Sequence, residues 1–239
     1  MGYTYVMSDI HGMGELLENM LEKLSFSEED TLYILGDMID RGPDPAKVLD
    51  IASSRGNIIP LRGNHEDEFI SWYDNEITRM FQKYYYNTYD ILMDSRRTRE
   101  KLPEYVAFMK SLPFYKKVKQ EDRCFLLAHA STEEILRTWK RKDRLIWDTS
   151  MVDRKKGIPG YVSVVGHVPT FVIGDSRKHP QRSGTARMGG SSMWTAGQRS
   201  RTWADGLAAC AWRRGRHLSK RPGERQRGTR HTRNSLGGS

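Results

Sequence analysis

The sequence predicts an α/β fold built on parallel strands, and three observations predict it. Short apolar, β-rich runs alternate with amphipathic helical segments along the first third of the chain. Each apolar run gives way to a polar cluster rich in Asp, His, Asn and Gly. The chain has seven histidines, and the four within the first 174 residues (His11, His65, His129 and His167) all fall at such strand-to-loop junctions. Open α/β sheets place their ligands at these junctions.

Tyr3 to Met7 reads as the first strand, followed by Ser8-Asp9-Ile10-His11-Gly12. In extended backbone, side chains two apart share a face, so Asp9 and His11 can point at one ion. A helix cap for Asp9 and a surface position for His11 are the plain alternatives. Leu16, Leu17, Met20, Leu21 and Leu24 then repeat at helical spacing. Thr31 to Leu35 is the second strand. Asp44 and Pro45 suit the N-cap and first turn of a helix that buries Val48, Leu49 and Ala52 and stops at Gly56. Ile58 to Leu61 is the third strand and runs into Arg62-Gly63-Asn64-His65-Glu66.

From Asp67 to about Leu112 the pattern is helical, anchored by Phe69, Ile70, Trp72 and Tyr73, with an aromatic group at Tyr84, Tyr85, Tyr86 and Tyr89. Core packing or a helix contact explains those tyrosines more simply than a wall of a substrate site, and none is expected to be catalytic. Phe114 to Lys119 and Arg123 to Ala128 form a hairpin that delivers Ala128-His129-Ala130. A short helix near Glu133 to Trp139 precedes a strand from Tyr161 to Val165, which ends in Gly166-His167-Val168-Pro169-Thr170.

The polar stretch from Gly36 to Gly42, Gly-Asp-Met-Ile-Asp-Arg-Gly, carries the chemistry. Carboxylates gather metal ions, and an arginine forks onto phosphate oxygens. The simplest chemistry that needs both is metal-assisted phosphate hydrolysis. Alone, the stretch could be turn residues with a local ion pair. Four histidines at strand ends, together with Asp9, Asp37 and Asn64, supply the ligand types of a binuclear centre.

Asp-Ile-His-Gly, Gly-Asp-Met-Ile-Asp-Arg-Gly, Arg-Gly-Asn-His-Glu, Ala-His-Ala and Gly-His-Val-Pro-Thr, in that order over residues 3 to about 174, resemble the calcineurin-like metallophosphoesterases. Within them the chain is similar to the bacterial and phage serine/threonine phosphoprotein phosphatases. The resemblance implies two packed β-sheets flanked by helices. It places Asp9, His11 and Asp37 on one metal and Asp37, Asn64, His129 and His167 on the other, with Asp37 bridging. His65 matches the general acid, Asp40 its carboxylate partner and Arg41 a phosphate-binding arginine. The implied ions are two divalent metals, manganese first, or iron and zinc. The implied reaction is hydrolysis of phosphoserine or phosphothreonine by a metal-bridging hydroxide. Symmetrical hydrolysis of dinucleoside tetraphosphates is the alternative. Relatives tend to carry Trp-x-Arg as a second phosphate clamp, but Trp147-Asp148-Thr149 has threonine there. Arg144 and Arg154 are candidates for that role, and Arg62 is a further candidate substrate contact, with bracing the loop as its plain alternative.

Composition divides the chain. The net charge of +9 conceals a balance of −3 over residues 1 to 174 and +12 from Asp175 onward, where 13 of the 15 basic residues are arginine. A catalytic domain over 1–174 and a basic, low-order tail over 175–239 are expected, with the second sheet left incomplete. A nucleic-acid-binding arm is one reading of the tail. The preferred reading is a frameshift after about Gln181, because Arg, Gly, Ser, Ala and Trp are what a GC-rich gene yields out of frame. Nucleic acid is thus not an expected partner; a phosphoprotein or small phosphoester is. Two cysteines 86 positions apart imply no disulfide framework, and no apolar run reaches the roughly 18 residues of a membrane span, so a cytoplasmic protein is expected.

Overall fold

The computed structural model describes residues 2–120, 122–154 and 157–168, and the strand segments 185–188, 191–195, 210–213 and 216–218. Strand β1 (Thr4–Met7), helix α1 (Gly14–Leu24), β2 (Thr31–Ile34), α2 (Pro45–Ser54) and β3 (Ile58–Pro60) follow in the alternation read from the sequence. The three strands pair in parallel, Tyr5 opposite Leu32 and Tyr33 opposite Ile59, with α1 and α2 as the crossovers. As expected, Asp44 caps α2 through its side chain, which accepts the Lys47 N–H, and Pro45 opens the first turn.

Helices α3 (Asn64–Asp74), α4 (Glu76–Phe81), α5 (Thr88–Asp94) and α6 (Arg96–Ser111) fill the stretch expected to be one helical region. Residues 82–87 are not helical, and this break carries the tyrosine cluster. The hairpin β4 (Tyr115–Gln120) and β5 (Arg123–Ala128), a 3-10 turn (Glu133–Leu136), α7 (Lys142–Trp147), α8 (Ser150–Arg154) and β6 (Val162–Val165) complete the body.

Four further strands lie where none was expected. β7 (Thr185–Met188) and β8 (Ser191–Thr195) form an antiparallel pair, and β8 runs parallel to β6. β9 (Cys210–Arg213) pairs with β1, and β10 (Arg216–Leu218) pairs with β9. The two sheets have the orders β10-β9-β1-β2-β3 and β4-β5-β6-β8-β7. The second sheet therefore has five strands and is not left open at β6. Physically, an unpaired β6 would present a row of bare backbone donors and acceptors, and β8 satisfies them. The expected frameshift junction near Gln181 lies outside the described residues.

Period-2 alternation assigns each strand face to a layer. Tyr5, Met7, Leu32 and Ile34 face α1, α2, α3 and α6. Val6, Tyr33 and Leu35 turn the other way and meet Phe125, Leu127 and Val164 of the second sheet. Leu126 and Ala128 pack outward on Ile135, Leu145 and Ile146. The result is helix, sheet, sheet, helix, with a buried apolar seam between the sheets. At the outer edge of the second sheet β4 exposes Lys116, Lys117 and Lys119, charges that discourage pairing with another edge. Among the described residues no helix is long and apolar enough to cross a membrane.

Candidate active site

The loops after β1, β2, β3, β5 and β6 meet at one end of the sandwich and bring together Asp9, His11, Asp37, Asp40, Arg41, Asn64, His65, His129 and His167. Backbone hydrogen bonds join them: the Asp9 and His11 N–H groups donate to the Gly36 and Asp37 carbonyls at 3.2 and 2.8 Å, and the Gly166 N–H donates to the His129 carbonyl at 2.7 Å. The loops are also sterically interlocked. A Cβ on Gly63 would lie 2.2 Å from Asp37 Oδ1, and one on Gly36 would lie 2.4 Å from the Gly63 nitrogen. Glycine at both positions is therefore a condition of the close approach.

Left-handed backbone is concentrated here. Among the described residues seven non-glycine positions have positive φ, and six of them are Asp9, His11, Asp37, Asp40, Arg41 and His167. Each such conformation costs on the order of 1 kcal/mol and persists only where its surroundings hold it. This corrects the expectation for Asp9 and His11: left-handed turns (φ +57° and +47°), and not extended alternation, aim these side chains.

Glu66 is the brace that the sequence did not reveal. Fully buried, it accepts the N–H groups of Asp37 at 2.9 Å, Met38 at 2.7 Å and Gly63 at 2.8 Å. One carboxylate thereby fixes the Gly36–Gly42 loop against the loop that opens α3. Its position three residues after Gly63 was the available signal, as in a capping box.

The imidazoles are oriented by their outer nitrogens. His129 Nδ1–H donates to the Leu35 carbonyl at 2.7 Å and His11 Nδ1–H to the Ile39 carbonyl at 3.0 Å, which turns both Nε2 lone pairs inward. His129 Nε2 then lies 2.9 Å from Asn64 Oδ1, 3.1 Å from His167 Nδ1 and 3.2 Å from Asp37 Oδ2. On the other side of Asp37, its Oδ2 is 3.7 Å from His11 Nε2 and 3.9 Å from His65 Nε2. Ligands of one ion with bonds near 2.1 Å stand about 3 Å apart at right angles, so the Asp37, Asn64, His129 and His167 set fits a divalent cation. The groups around His11 and around His129 share Asp37.

Asp9 is arranged differently from the expected set. Its Oδ2 accepts the His167 N–H at 3.1 Å, and His65 is the third member of the group formed by His11 and Asp37. Burial raises the Asp9 pKa; His129 pulls it down, and Asp37 pushes it up again.

Charge balance around Asp37 follows from the same contacts. Burial opposes its ionisation, but His129, His11 and His65 outweigh burial and hold the carboxyl far below the usual range. Burial likewise opposes a charge on His129, yet Asp37 and Asp9 push it up to about 9. Burial dominates at His11 and His167, which are held down to about 3 and about 4.

His65 and Asp40 form the expected pair. His65 Nδ1 donates to Asp40 Oδ2 at 2.7 Å in a fully buried contact, and Asp40 and Asp37 together overcome burial to raise the His65 pKa. Arg41 places Nη1 3.0 Å from His11 Nε2 and Nη2 3.0 Å from His65 Nε2. Donation from Arg41 requires an unprotonated Nε2, which opposes the upward pull on His65. Arg41 is exposed and long whereas the His65–Asp40 pair is buried, so Arg41 is the group that yields when His65 takes a second proton.

Arg62 is not placed for phosphate. Its Nη1 donates to Asp67 Oδ1 at 3.2 Å, its Nη2 donates to the Lys110 carbonyl, and the guanidinium stacks 4.6 Å over Phe114. Of the two readings of Arg62, these contacts support bracing the loop against α6 and correct the substrate role. Arg144 pairs with the buried Glu134 at 3.5 Å, and the Arg154 side chain lies outside the described residues. Of the tyrosines, Tyr84 donates to Asp40 and the Tyr86 ring lies 4.6 Å from that of His65, contacts the sequence gave no reason to expect.

Comparison with known proteins agrees with this arrangement. The pattern of the Calcineurin-like phosphoesterase family matches residues 3–196. The chain belongs to this family. Among the described residues its His and Asp side chains form two groups that could hold a metal ion, in keeping with a family of metal-dependent phosphoesterases. Among curated proteins it is similar to the symmetrical bis(5'-nucleosyl)-tetraphosphatases of Buchnera aphidicola subsp. Baizongia pistaciae, 43% identical over 72 residues, and of Erwinia tasmaniensis, 38% identical over 72 residues. Each match covers 29% of this chain and 26% of the relative, so the chain spans about a quarter of the length of the curated relatives it matches. A crystal structure of a protein provisionally named a diadenosine tetraphosphatase superimposes with a TM-score of 0.59 at 18% identity, covering 92% of this chain and 93% of the other. A metallophosphoesterase from Sphaerobacter thermophilus gives 0.52 at 17% identity, covering 88% and 83%. These two likenesses establish the fold.

Proposed function

We propose that this calcineurin-like phosphoesterase hydrolyses phosphoric esters and anhydrides, with a dinucleoside tetraphosphate, cleaved symmetrically, as its substrate. The observation that carries the reaction is the convergence of His129, His11 and His65 Nε2 on Asp37 Oδ2, at 3.2, 3.7 and 3.9 Å. Asp37, Asn64, His129 and His167 would hold one divalent cation, and Asp37, His11 and the adjacent Asp9 a second. Manganese is the proposed metal, with iron or zinc as alternatives. When bound, such a pair supplies Lewis-acid charge and acidifies a water molecule.

The protein's own groups do the rest. Arg41 forks onto the non-bridging phosphoryl oxygens and matches their charge. His65, oriented through Nδ1 by Asp40, offers the proton on Nε2 to the departing oxygen. Water adds its oxygen to phosphorus as the bond to the leaving oxygen breaks, and the water's proton restores His65. Two nucleoside diphosphates result. Support for this substrate comes from the names of the curated relatives and from an aromatic step beside His65. Tyr86 lies against His65, and Tyr85, 88% exposed, packs edge-on to Tyr86 at 4.9 Å and offers a face for a nucleobase.

One observation favours a second reading, phosphoserine or phosphothreonine in a protein. The buried His65–Asp40 pair is a proton donor, which a serine alkoxide needs in order to leave and a nucleoside diphosphate, already a stable anion, scarcely needs. One assay separates the two. Purified protein with manganese is given a dinucleoside tetraphosphate and, separately, a phosphoserine peptide, with and without chelator and with Asp37→Asn as control. Chelator-sensitive release of nucleoside diphosphates as the sole products supports the first reading, and release of phosphate from the peptide supports the second. Turnover of neither overturns both.

A further inference from the structure

The loop between α4 and α5, with the first residue of α5, reaches back over the Asp40–Gly42 loop and holds it through four hydrogen bonds, one of them from Asn87 Nδ2 to the Gly42 carbonyl at 3.1 Å. Tyr84 Oη donates to Asp40 Oδ2 at 2.8 Å, the same oxygen that accepts His65 Nδ1 at 2.7 Å. Thr88 Oγ1 accepts the Asp40 N–H at 2.8 Å, and Asn87 Oδ1 accepts the Arg41 N–H at 2.8 Å. Asp40 and Arg41 both have left-handed backbone (φ +67° and +69°), which needs such support. Asp40 is wholly buried, and its Oδ1 has no hydrogen-bond partner among the described residues. The direction of the carboxylate therefore rests on the two donors that share Oδ2. The Tyr84 ring is itself fixed, edge-on to Phe69 at 5.0 Å and tilted on Trp72 at 5.2 Å.

From this geometry we infer that Tyr84 is a positioning residue: its hydroxyl fixes the Asp40 carboxylate, which in turn aims the His65 ring at the leaving oxygen. The inference rests on the reading of the site as a phosphoryl-transfer centre with His65 as proton donor, and it is read on phosphoserine, whose alkoxide needs that proton. Without the hydroxyl, the carboxylate keeps one donor on one oxygen and can turn about its own bond, so the imidazole loses its fixed direction. The ring of a Tyr84→Phe variant still fills the same space against Phe69 and Trp72, so packing is preserved.

A positioning role and a packing role differ in how rate depends on the leaving group. p-Nitrophenolate departs without a proton, whereas the alkoxide of phosphoserine requires one. In Tyr84→Phe the ratio of kcat for p-nitrophenyl phosphate to kcat for phosphoserine peptide is expected to rise at least about 10-fold, a fraction of the ~100-fold or more that general-acid catalysis supplies. His65→Gln is expected to raise the same ratio further, and the double variant is expected to match His65→Gln alone, since the two act through one proton. Imidazole proton NMR of the metal-free protein gives a readout independent of turnover: the His65 Nδ1–H resonance, assigned by its loss in His65→Gln, is expected to shift in Tyr84→Phe. Equal loss on both substrates, or an unmoved ratio, together with an unmoved resonance overturns the inference. If wild-type protein turns over neither of these two substrates, the phosphoserine reading falls while the dinucleoside tetraphosphate reading stands, and the resonance alone then decides for or against Tyr84.

Discussion

Glu66 shows how much of the site one side chain without a ligand role can carry. It is the acceptor for three buried N–H groups from two loops, and an alanine there leaves all three unsatisfied while opening a cavity. Glu66→Ala is expected to destabilise the fold by at least about 3 kcal/mol in chemical denaturation, and to weaken metal binding by an order of magnitude or more even where the protein stays folded.

The histidines set an opposing pair of pH limits on the metal-free protein. His129 is raised to about 9 from 6.5, so its contribution to stability is complete below 6.5 and is lost as pH climbs to 9. His11 and His167 are lowered to about 3 and about 4, so below 6.5 the unfolded chain takes up protons that the folded chain refuses, and stability falls toward pH 4. The expected result is a stability maximum near pH 6.5, with stabilisation by added manganese growing between 6.5 and 9 as the cation displaces the His129 proton. Denaturation midpoints measured with chelator and with manganese across pH 4–9 check both.

At the scale of elements, legibility followed range along the chain. Strand ends were readable because each carries a local signature, a short apolar run and then a ligand-type residue, with glycine between them at Leu35-Gly36-Asp37 and Leu61-Arg62-Gly63-Asn64. The α2 cap was readable for the same reason. Tyr84 was not, since nothing within a few residues of it hints at a carboxylate 44 positions earlier. The break at residues 82–87 was missed because its aromatic composition suits a helix contact as well as a loop. Arg62 stayed open between two roles because an arginine beside a ligand loop has the same letters whether it faces phosphate or Phe114. β7 and β8 were not legible because Ser191 to Thr195 lacks the alternation of a half-buried strand and the sequence around both strands is rich in arginine, glycine and serine.

Those two strands yield a prediction of their own. β8 covers the β6 edge with the register Val162 opposite Ser192 and Val164 opposite Trp194. A chain ending at residue 174 bares that edge, and β6 carries His167 at its end. Truncation there is expected to lower the denaturation midpoint and to produce concentration-dependent aggregation in light scattering, while the full chain stays dispersed.

At the scale of the molecule, the centre lies across the junction of two sheets, because the His129 imidazole rises from the second sheet and its Nδ1–H is held by the Leu35 carbonyl at the end of a strand in the first. A slide of one sheet over the other by an ångström pulls that bond apart while the apolar seam, being non-directional, stays shut. Inactivation should thus run ahead of melting as urea is raised: turnover and bound metal vanish at concentrations where far-UV circular dichroism is still native.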